Sequence, residues 1–105
     1  MMETFNDSSD SIKEYTDKEK YTYLMATNLK VLRAKAGMTQ YDLSEVAGIS
    51  RQTIVQAETT DKLSWGTYLS LVFVFSTNAE TSQLMKLLGI YPENFQITDY
   101  IKKGE

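Results

Sequence analysis

The chain has 105 residues and a mass of 12.0 kDa, enough for one compact domain with tails but not for a separate catalytic or ligand-sensing domain. It contains no cysteine and no histidine, which excludes disulfides, thiolate nucleophiles, the commonest zinc ligands and the usual general base. Since the sequence also lacks a glycine-rich phosphate loop, we expect no enzyme, no metal and no cofactor.

The length of the apolar runs and the distribution of charge further narrow the possible class of protein. No run approaches the roughly 18 apolar residues of a membrane span, and the N-terminus is acidic and polar, so we expect a soluble, cytoplasmic protein that does not enter membranes. The net charge of −3 arises mainly from residues 1–19, which carry six acidic and two basic side chains. Residues 20–62 carry six basic and four acidic side chains and are mildly basic.

The first predicted elements are a tail and a long helix. Residues 1–16 are rich in Ser and Asp and lack periodic apolar positions, which predicts a disordered acidic tail. Asp17 is a candidate N-cap of the first helix, and Gly37 is expected to end it. Apolar residues recur at helical spacing between them: Tyr21, Leu24, Met25, Leu29, Leu32 and Ala36.

Two short amphipathic helices follow, joined by a tight turn. Thr39 is the expected cap of the second helix, which runs through Ala47, and Ser50 caps a third helix through Glu58. Gly48 lies between them, where the turn requires a left-handed backbone that costs glycine nothing. The apolar positions that tie the two helices together are Leu43, Ala47, Ile49, Ile54 and Ala57.

The fourth predicted helix begins at Trp65 after a cap at Ser64. Its run from 68 to 75 is ambiguous, because β-branched and aromatic residues favour a strand. We predict a helix, since the neighbouring segments are helical and a lone strand would have no partner. We expect Trp65, Phe73 and Phe75 to be core residues rather than part of a cofactor site.

A fifth helix and a C-terminal arm complete the predicted domain. Asn78 or Ser76 is the expected cap of this helix, and Gly89 is expected to end it. The apolar residues in 91–105 predict an arm rather than a disordered tail. The sequence therefore predicts an all-α protein of five helices, with a tail at 1–16, a helical domain at 17–90 and an arm at 91–105.

The segment 39–58 is the basis of the functional hypothesis, because it has the pattern of a helix-turn-helix. Its second helix carries Arg51, Gln52, Thr53 and Gln56, residue types that can bond the edges of bases. Residues 24–75 resemble the XRE family, the small helix-turn-helix domains typified by phage repressor and Cro proteins. The matching features are Leu32-Arg33, Met38-Thr39-Gln40, Leu43, Gly48-Ile49-Ser50 and Ile54-x-x-Ala57-Glu58.

The resemblance implies a role for each matching residue. Base contacts are expected from Arg51, Gln52, Thr53 and Gln56, and phosphate contacts from Gln40, Ser50, Thr60 and Lys62. Glutamine can pair with adenine, arginine favours guanine or a phosphate, and Val55 could meet a thymine methyl. Arg33 and Glu58 are expected to form a salt bridge between the first and third helices.

One position departs from the family pattern. The family usually has glycine two residues after the glutamate, where the backbone turns near a phosphate, and here Thr60 occupies that position. A non-glycine residue in a left-handed conformation costs roughly 1 kcal/mol. The loop after the third helix can therefore adopt a backbone conformation that differs from the usual one in the family.

The expected partner is double-stranded DNA, bound by a homodimer that acts as a transcriptional regulator, most simply a repressor. The apolar run Leu71–Phe75, the fifth helix and the arm are the candidate dimer surface, with burial in the domain's own core as an equal alternative for the run. A second hypothesis is a protein-interaction module, such as an antitoxin whose tail or arm neutralises a toxin.

Overall fold

A computed structural model of the chain describes residues 17–90, and these residues form six α-helices and no strand. The helix α1 occupies residues 17–27, followed by α2 (Leu29–Lys35), α3 (Gln40–Ala47), α4 (Arg51–Thr60), α5 (Trp65–Ser76) and α6 (Ala79–Leu88). The all-α prediction is confirmed, including the helical assignment of the ambiguous run in α5. The predicted tail and arm lie outside the described residues.

The predicted first helix is two helices, because the chain is interrupted at Asn28. The Asn28 side-chain amide donates to the carbonyl of Leu24 at 2.8 Å, and the Thr27 hydroxyl donates to the same oxygen at 3.2 Å. The backbone amide of Asn28 donates to this carbonyl as well, at 3.2 Å, so the side chains share it with the backbone, and Asn28 itself has the non-helical angles φ −108° and ψ 8°. The prediction of five helices was therefore wrong by one. Asp17 lies inside α1 rather than at its N-cap.

The other predicted helix starts are confirmed by side-chain caps. Thr39 accepts from the Asp42 amide while Asp42 accepts from the Thr39 amide, each at 3.0 Å, which completes a capping box. Ser50 and Ser64 each accept from the amide three residues onward, at 3.0 and 3.2 Å. Asn78, rather than Ser76, caps α6. The starts of α3, α4, α5 and α6 are therefore encoded locally.

The corner between α3 and α4 depends on Gly48, which has φ +69° and lies in the left-handed region that glycine adopts without strain. Because the turn is short, α3 and α4 pack directly against each other. This arrangement is the helix-turn-helix that the sequence predicts for residues 39–58.

The core is built around α5, which packs against α3 and α6. Buried apolar side chains from all six helices and from Ile90 form one cluster: Met25, Leu29, Leu32, Leu43, Ile54, Ala57, Tyr68, Leu71, Val72, Val74, Phe75, Met85 and Ile90. The prediction of a buried Phe73 was wrong, since its side chain is 48% exposed, and Trp65 is half-buried. Most of the Leu71–Phe75 run belongs to the domain's own core, with Phe73 pointing outward.

The structure extends the third predicted helix by two residues. The helix α4 ends at Thr60 instead of Glu58, and the left-handed residue that follows is Asp61, with φ +59°. Aspartate tolerates this conformation better than most non-glycine residues, because its short polar side chain can bond locally. The turn expected at Thr60 is therefore shifted by one residue.

Among residues 17–90, no helix has the length and apolar character that crossing a membrane requires.

Candidate nucleic-acid interface

The helix α4 is attached to the domain along one side only. Ile54 and Ala57 are fully buried, and Ser50 holds the first turn in place by accepting from the Thr53 amide. Six of its ten residues are exposed. The buried residues therefore hold α4 in place, and the opposite side of the helix is an exposed surface.

The outer side of α4 forms a ridge. At 3.6 residues per turn, Gln52 and Thr59 point most directly away from the buried side, with Val55 and Gln56 on either side of them and Arg51 further round on the Val55 side. The side chains of Arg51, Gln52 and Gln56 are exposed, and no hydrogen bond or ion pair links them to any residue of the described range 17–90. Three of the four predicted base-contacting residues thus have side-chain polar groups that bond no other residue in the range 17–90.

Thr53 and Ser50 differ from these three residues. The Thr53 side chain is half-buried, and its hydroxyl lies 2.7 Å from the hydroxyl of Ser50. Both hydroxyls are therefore part of the capping structure at the start of α4. Either one can still offer a proton or a lone pair to a ligand at this helix end.

A depression borders the ridge on the Arg51 side. It is lined by the end of α2 and the start of α3, including Lys30, Thr39, Gln40 and Tyr41. Helices leave their first amides without intrahelical partners. The capping box uses the amides of Thr39 and Asp42, so those of Gln40 and Tyr41 remain available at the positive end of α3.

A buried ion pair forms the floor of this depression. Arg33 donates from Nε and Nη2 to the Glu58 carboxylate at 2.8 and 3.2 Å and from Nη1 to the Met38 carbonyl at 3.1 Å. Gln40 donates from Nε2 to Glu58 Oε1 at 3.0 Å. The structure thus brings Arg33 and Glu58 together as expected, and it gives the Gln40 side chain a partner within the protein.

The electrostatics of Glu58 follow from these contacts. Burial by itself raises the pKa of Glu58, but hydrogen bonds from Arg33 and Gln40 outweigh it, together with the positive charges of Arg33 and Lys30. The pKa of Glu58 therefore lies below its ordinary value. The carboxylate stays ionised at neutral pH and neutralises Arg33, which leaves Lys30 and Arg51 as the uncompensated cations of the depression.

A second depression, which we call the Lys62 groove, borders the ridge on the other side. It is lined by Thr53, Gln56, Thr60, Lys62, Leu63, Ser64 and Thr67. Lys62 is the one charged side chain among these described lining residues. Thr60 lies inside α4 and donates its hydroxyl to the Gln56 carbonyl at 2.7 Å. The predicted phosphate contacts Thr60 and Lys62 thus share this groove.

Several lining residues were not among the sequence-predicted site residues, and the polar ones include Lys30, Tyr41, Ser64 and Thr67. Lys30 lies about one turn before Arg33 on the first predicted helix, and Tyr41 directly follows Gln40. Ser64 was predicted as a helix cap, which places its neighbours at a helix start. Each signal was present in the sequence, but only the packing of α4 against α2 and α3, and of α3 against α5, relates these residues to the site.

The capped helix pair, its tight glycine turn and an exposed second helix define a helix-turn-helix. The family model described as helix-turn-helix matches residues 29–59, which span α2, α3 and almost all of α4. The match covers 31 of the 105 residues, and it shows that this segment is similar to the helix-turn-helix of the XRE family. No curated protein and no solved structure shows significant similarity to the chain.

Proposed function

We propose that the protein is a transcriptional repressor that reads an operator in the major groove of DNA with α4. The observation that carries this proposal is the ridge of α4, whose Arg51, Gln52 and Gln56 side chains are exposed and uncommitted. The ridge lies between two depressions rich in hydrogen-bond donors. An exposed polar helix with hydrogen-bond donors on both sides is complementary to the DNA major groove, which has phosphates along both edges.

The dimensions support this placement. A helix with its side chains is about 10–12 Å across, and the major groove is about 12 Å wide. With the ridge in the groove, one depression would offer the free amides at the start of α3 and Lys30 to one phosphate backbone. The Lys62 groove would offer its lysine and hydroxyl groups to the other backbone.

Base recognition is assigned to the exposed side chains of the ridge and its flanks. Gln52 and Gln56 are one helical turn apart, and each has an amide able to bond adenine N6 and N7. Arg51 would bond guanine O6 and N7 or a phosphate, and Val55, 38% exposed, would contact a thymine methyl. Thr53 would add a contact through the hydroxyl that it shares with Ser50.

A two-fold dimer is part of the proposal, because one domain offers few contacts and little net charge. Residues 17–90 carry eight basic and seven acidic side chains. Phe73 on α5 and Leu87 on α6 are 48% and 84% exposed, and they support a dimer surface on the helices that do not face DNA. Such a dimer would place two α4 helices in successive major grooves about 34 Å apart.

The direct test is the affinity of α4 variants for an operator selected from random DNA. Gln52→Ala and Gln56→Ala should each weaken binding by about 1–3 kcal/mol, the discrimination that a good base contact provides. Gln83→Ala is the matched control, since Gln83 is an exposed glutamine on α6, and its affinity should be unchanged. Losses below about 0.5 kcal/mol at both α4 positions would contradict direct base reading.

The dimer has its own measurement. Leu87→Glu should shift the protein to monomer in sedimentation equilibrium, because a charge replaces an exposed apolar side chain. Lys86→Glu is the control, since it adds acidic charge at an already charged neighbouring position. Retention of the chain on a partner protein, with DNA binding undetectable at low salt, would favour the antitoxin hypothesis instead.

A further inference from the structure

The first turn of the described chain contacts the first residue of α5. The Nζ atom of Lys18, in the first turn of described helix, lies 5.4 Å from the centre of the Trp65 ring, a cation–π distance. Trp65 is the first residue of α5, and its neighbours Ser64 and Thr67 line the groove. The Lys18 side chain therefore contacts the start of α5, the helix whose first turn borders this groove.

The groove presents donors to an anionic oxygen. Lys62 is exposed, and the Gln56 side-chain amide bonds no residue of the described part of the chain. The Thr67 hydroxyl accepts from Ser64 at 2.9 Å, which leaves its own proton to donate outward. These groups would bind a phosphate oxygen, and they would bind a carboxylate oxygen equally well.

Residues 1–16 carry more carboxylates than basic side chains. They include Glu3, Asp7, Asp10 and Glu14 against the single base Lys13, a net charge of −3, whereas residues 17–90 have a net charge of +1. Sixteen residues can span up to about 50 Å, while α4 is only about 15 Å long. The segment therefore has the charge to complement the groove and the length to reach all of it.

We propose that residues 1–16 occupy the Lys62 groove in the DNA-free protein through their carboxylates, and compete there with a DNA phosphate. The competition rests on the proposed function, whereas the contact with the groove does not. Tethering gives such a segment an effective concentration in the millimolar range, so a contact that is weak on its own is populated. The apparent affinity for DNA falls in proportion to the fraction of molecules whose groove is open.

The contact can be tested without DNA. Because the chain has no cysteine, Ser8→Cys carries a single nitroxide label on the full chain. We expect the label to broaden the amide resonances of Gln56, Lys62 and Ser64, and its chemical reduction to restore them. Neutralising the segment with Glu3→Gln, Asp7→Asn, Asp10→Asn and Glu14→Gln should remove the broadening. Broadening confined to the residues next to Asp17 would overturn the proposal.

The competition is tested by DNA affinity at two salt concentrations. The neutralised variant should bind an operator about three- to tenfold more tightly than the unmodified chain at about 50 mM salt. The ratio should shrink at about 200 mM salt, because screening weakens the carboxylate contact. The same neutralisation in a Lys62→Gln background should give a smaller gain, since the lysine partner is gone. Equal affinities in all backgrounds would overturn the competition.

The two measurements separate this inference from the proposed function. Broadening at the groove without DNA binding by any variant would refute the proposed function and the competition but support the contact. Tight operator binding without broadening would support the proposed function and refute the contact.

Discussion

The helices α4 and α5 follow each other in the chain, yet their side chains have opposite environments. Of the ten residues of α4 two are buried, Ile54 and Ala57, whereas α5 buries Tyr68, Leu71, Val72, Val74 and Phe75. The outer side of α4 is polar and uncommitted, while α5 is apolar on nearly every side. The comparison teaches that α5 supplies much of the core while α4 supplies an exposed polar surface, so substitutions of the exposed side chains of α4 should leave the free energy of unfolding nearly unchanged.

The largest expected effect is the loss of a core side chain from α5. Phe75→Ala should lower the free energy of unfolding by about 3–5 kcal/mol, since the ring is buried and its removal leaves a cavity. Phe73→Ala is the matched control two residues away, and it should cost about 1 kcal/mol or less because Phe73 is half exposed. Urea unfolding measures both. Equal losses would show that Phe73 is buried in solution, for example by a second copy.

The next effect tests the contact that fastens α4 to α2. Arg33→Met should lower the free energy of unfolding by about 3 kcal/mol, because it leaves the Glu58 carboxylate without its main partner in a nearly buried position. The double variant Arg33→Met/Glu58→Leu should recover most of this loss, since apolar side chains can replace a buried pair. Urea unfolding of the three proteins measures the difference. A double variant as unstable as Arg33→Met would contradict the explanation.

A smaller effect on the free energy of unfolding is expected from a change in pH. Because the pKa of Glu58 is lowered in the folded protein, folding favours the ionised carboxylate. Its contribution to stability is complete above the ordinary glutamate pKa of about 4.3 and is lost as pH falls through the lower folded-state value. In urea unfolding between pH 3 and 7, stability should fall less steeply in this acidic window for Glu58→Gln. Parallel pH profiles would show that Glu58 does not titrate differently on folding.

The smallest effect concerns the end of α4. Asp61→Gly should raise the free energy of unfolding by about 1 kcal/mol or less, because glycine adopts the left-handed conformation of Asp61 without strain. Asp61→Asn removes the same charge but retains a side chain suited to this conformation, so its stability should stay nearly constant. Both variants should bind DNA slightly more tightly, since each removes a negative charge beside Lys62. Thermal unfolding and operator titration measure the two properties separately.

Features encoded within a few residues could be predicted from the sequence. The caps at Thr39, Ser50 and Ser64 and the left-handed turn at Gly48 depend on local hydrogen bonds and backbone sterics, and all four are confirmed. The break at Asn28 was missed, although it is also local. An apolar periodicity that continues past this residue conceals the side-chain bond to the Leu24 carbonyl.

Features that depend on packing could not be predicted in the same way. The apolar run of α5 does not reveal which side faces solvent, because the neighbours that bury Phe75 and leave Phe73 exposed come from distant helices. The hydrogen bond from Gln40 to Glu58 joins residues 18 positions apart, and no local pattern indicates it. The roles assigned to Arg51, Gln52, Thr53 and Gln56 at DNA stay predictions.

The one-sided attachment of α4 has a consequence for how such a regulator could change its target. Since the side chains of Arg51, Gln52 and Gln56 bond no other residue among residues 17–90, exchanging these side chains would leave the scaffold intact. A descendant with altered operator preference would therefore need no compensating repair elsewhere. Divergence of binding specificity could proceed through successive single replacements, each yielding a folded protein.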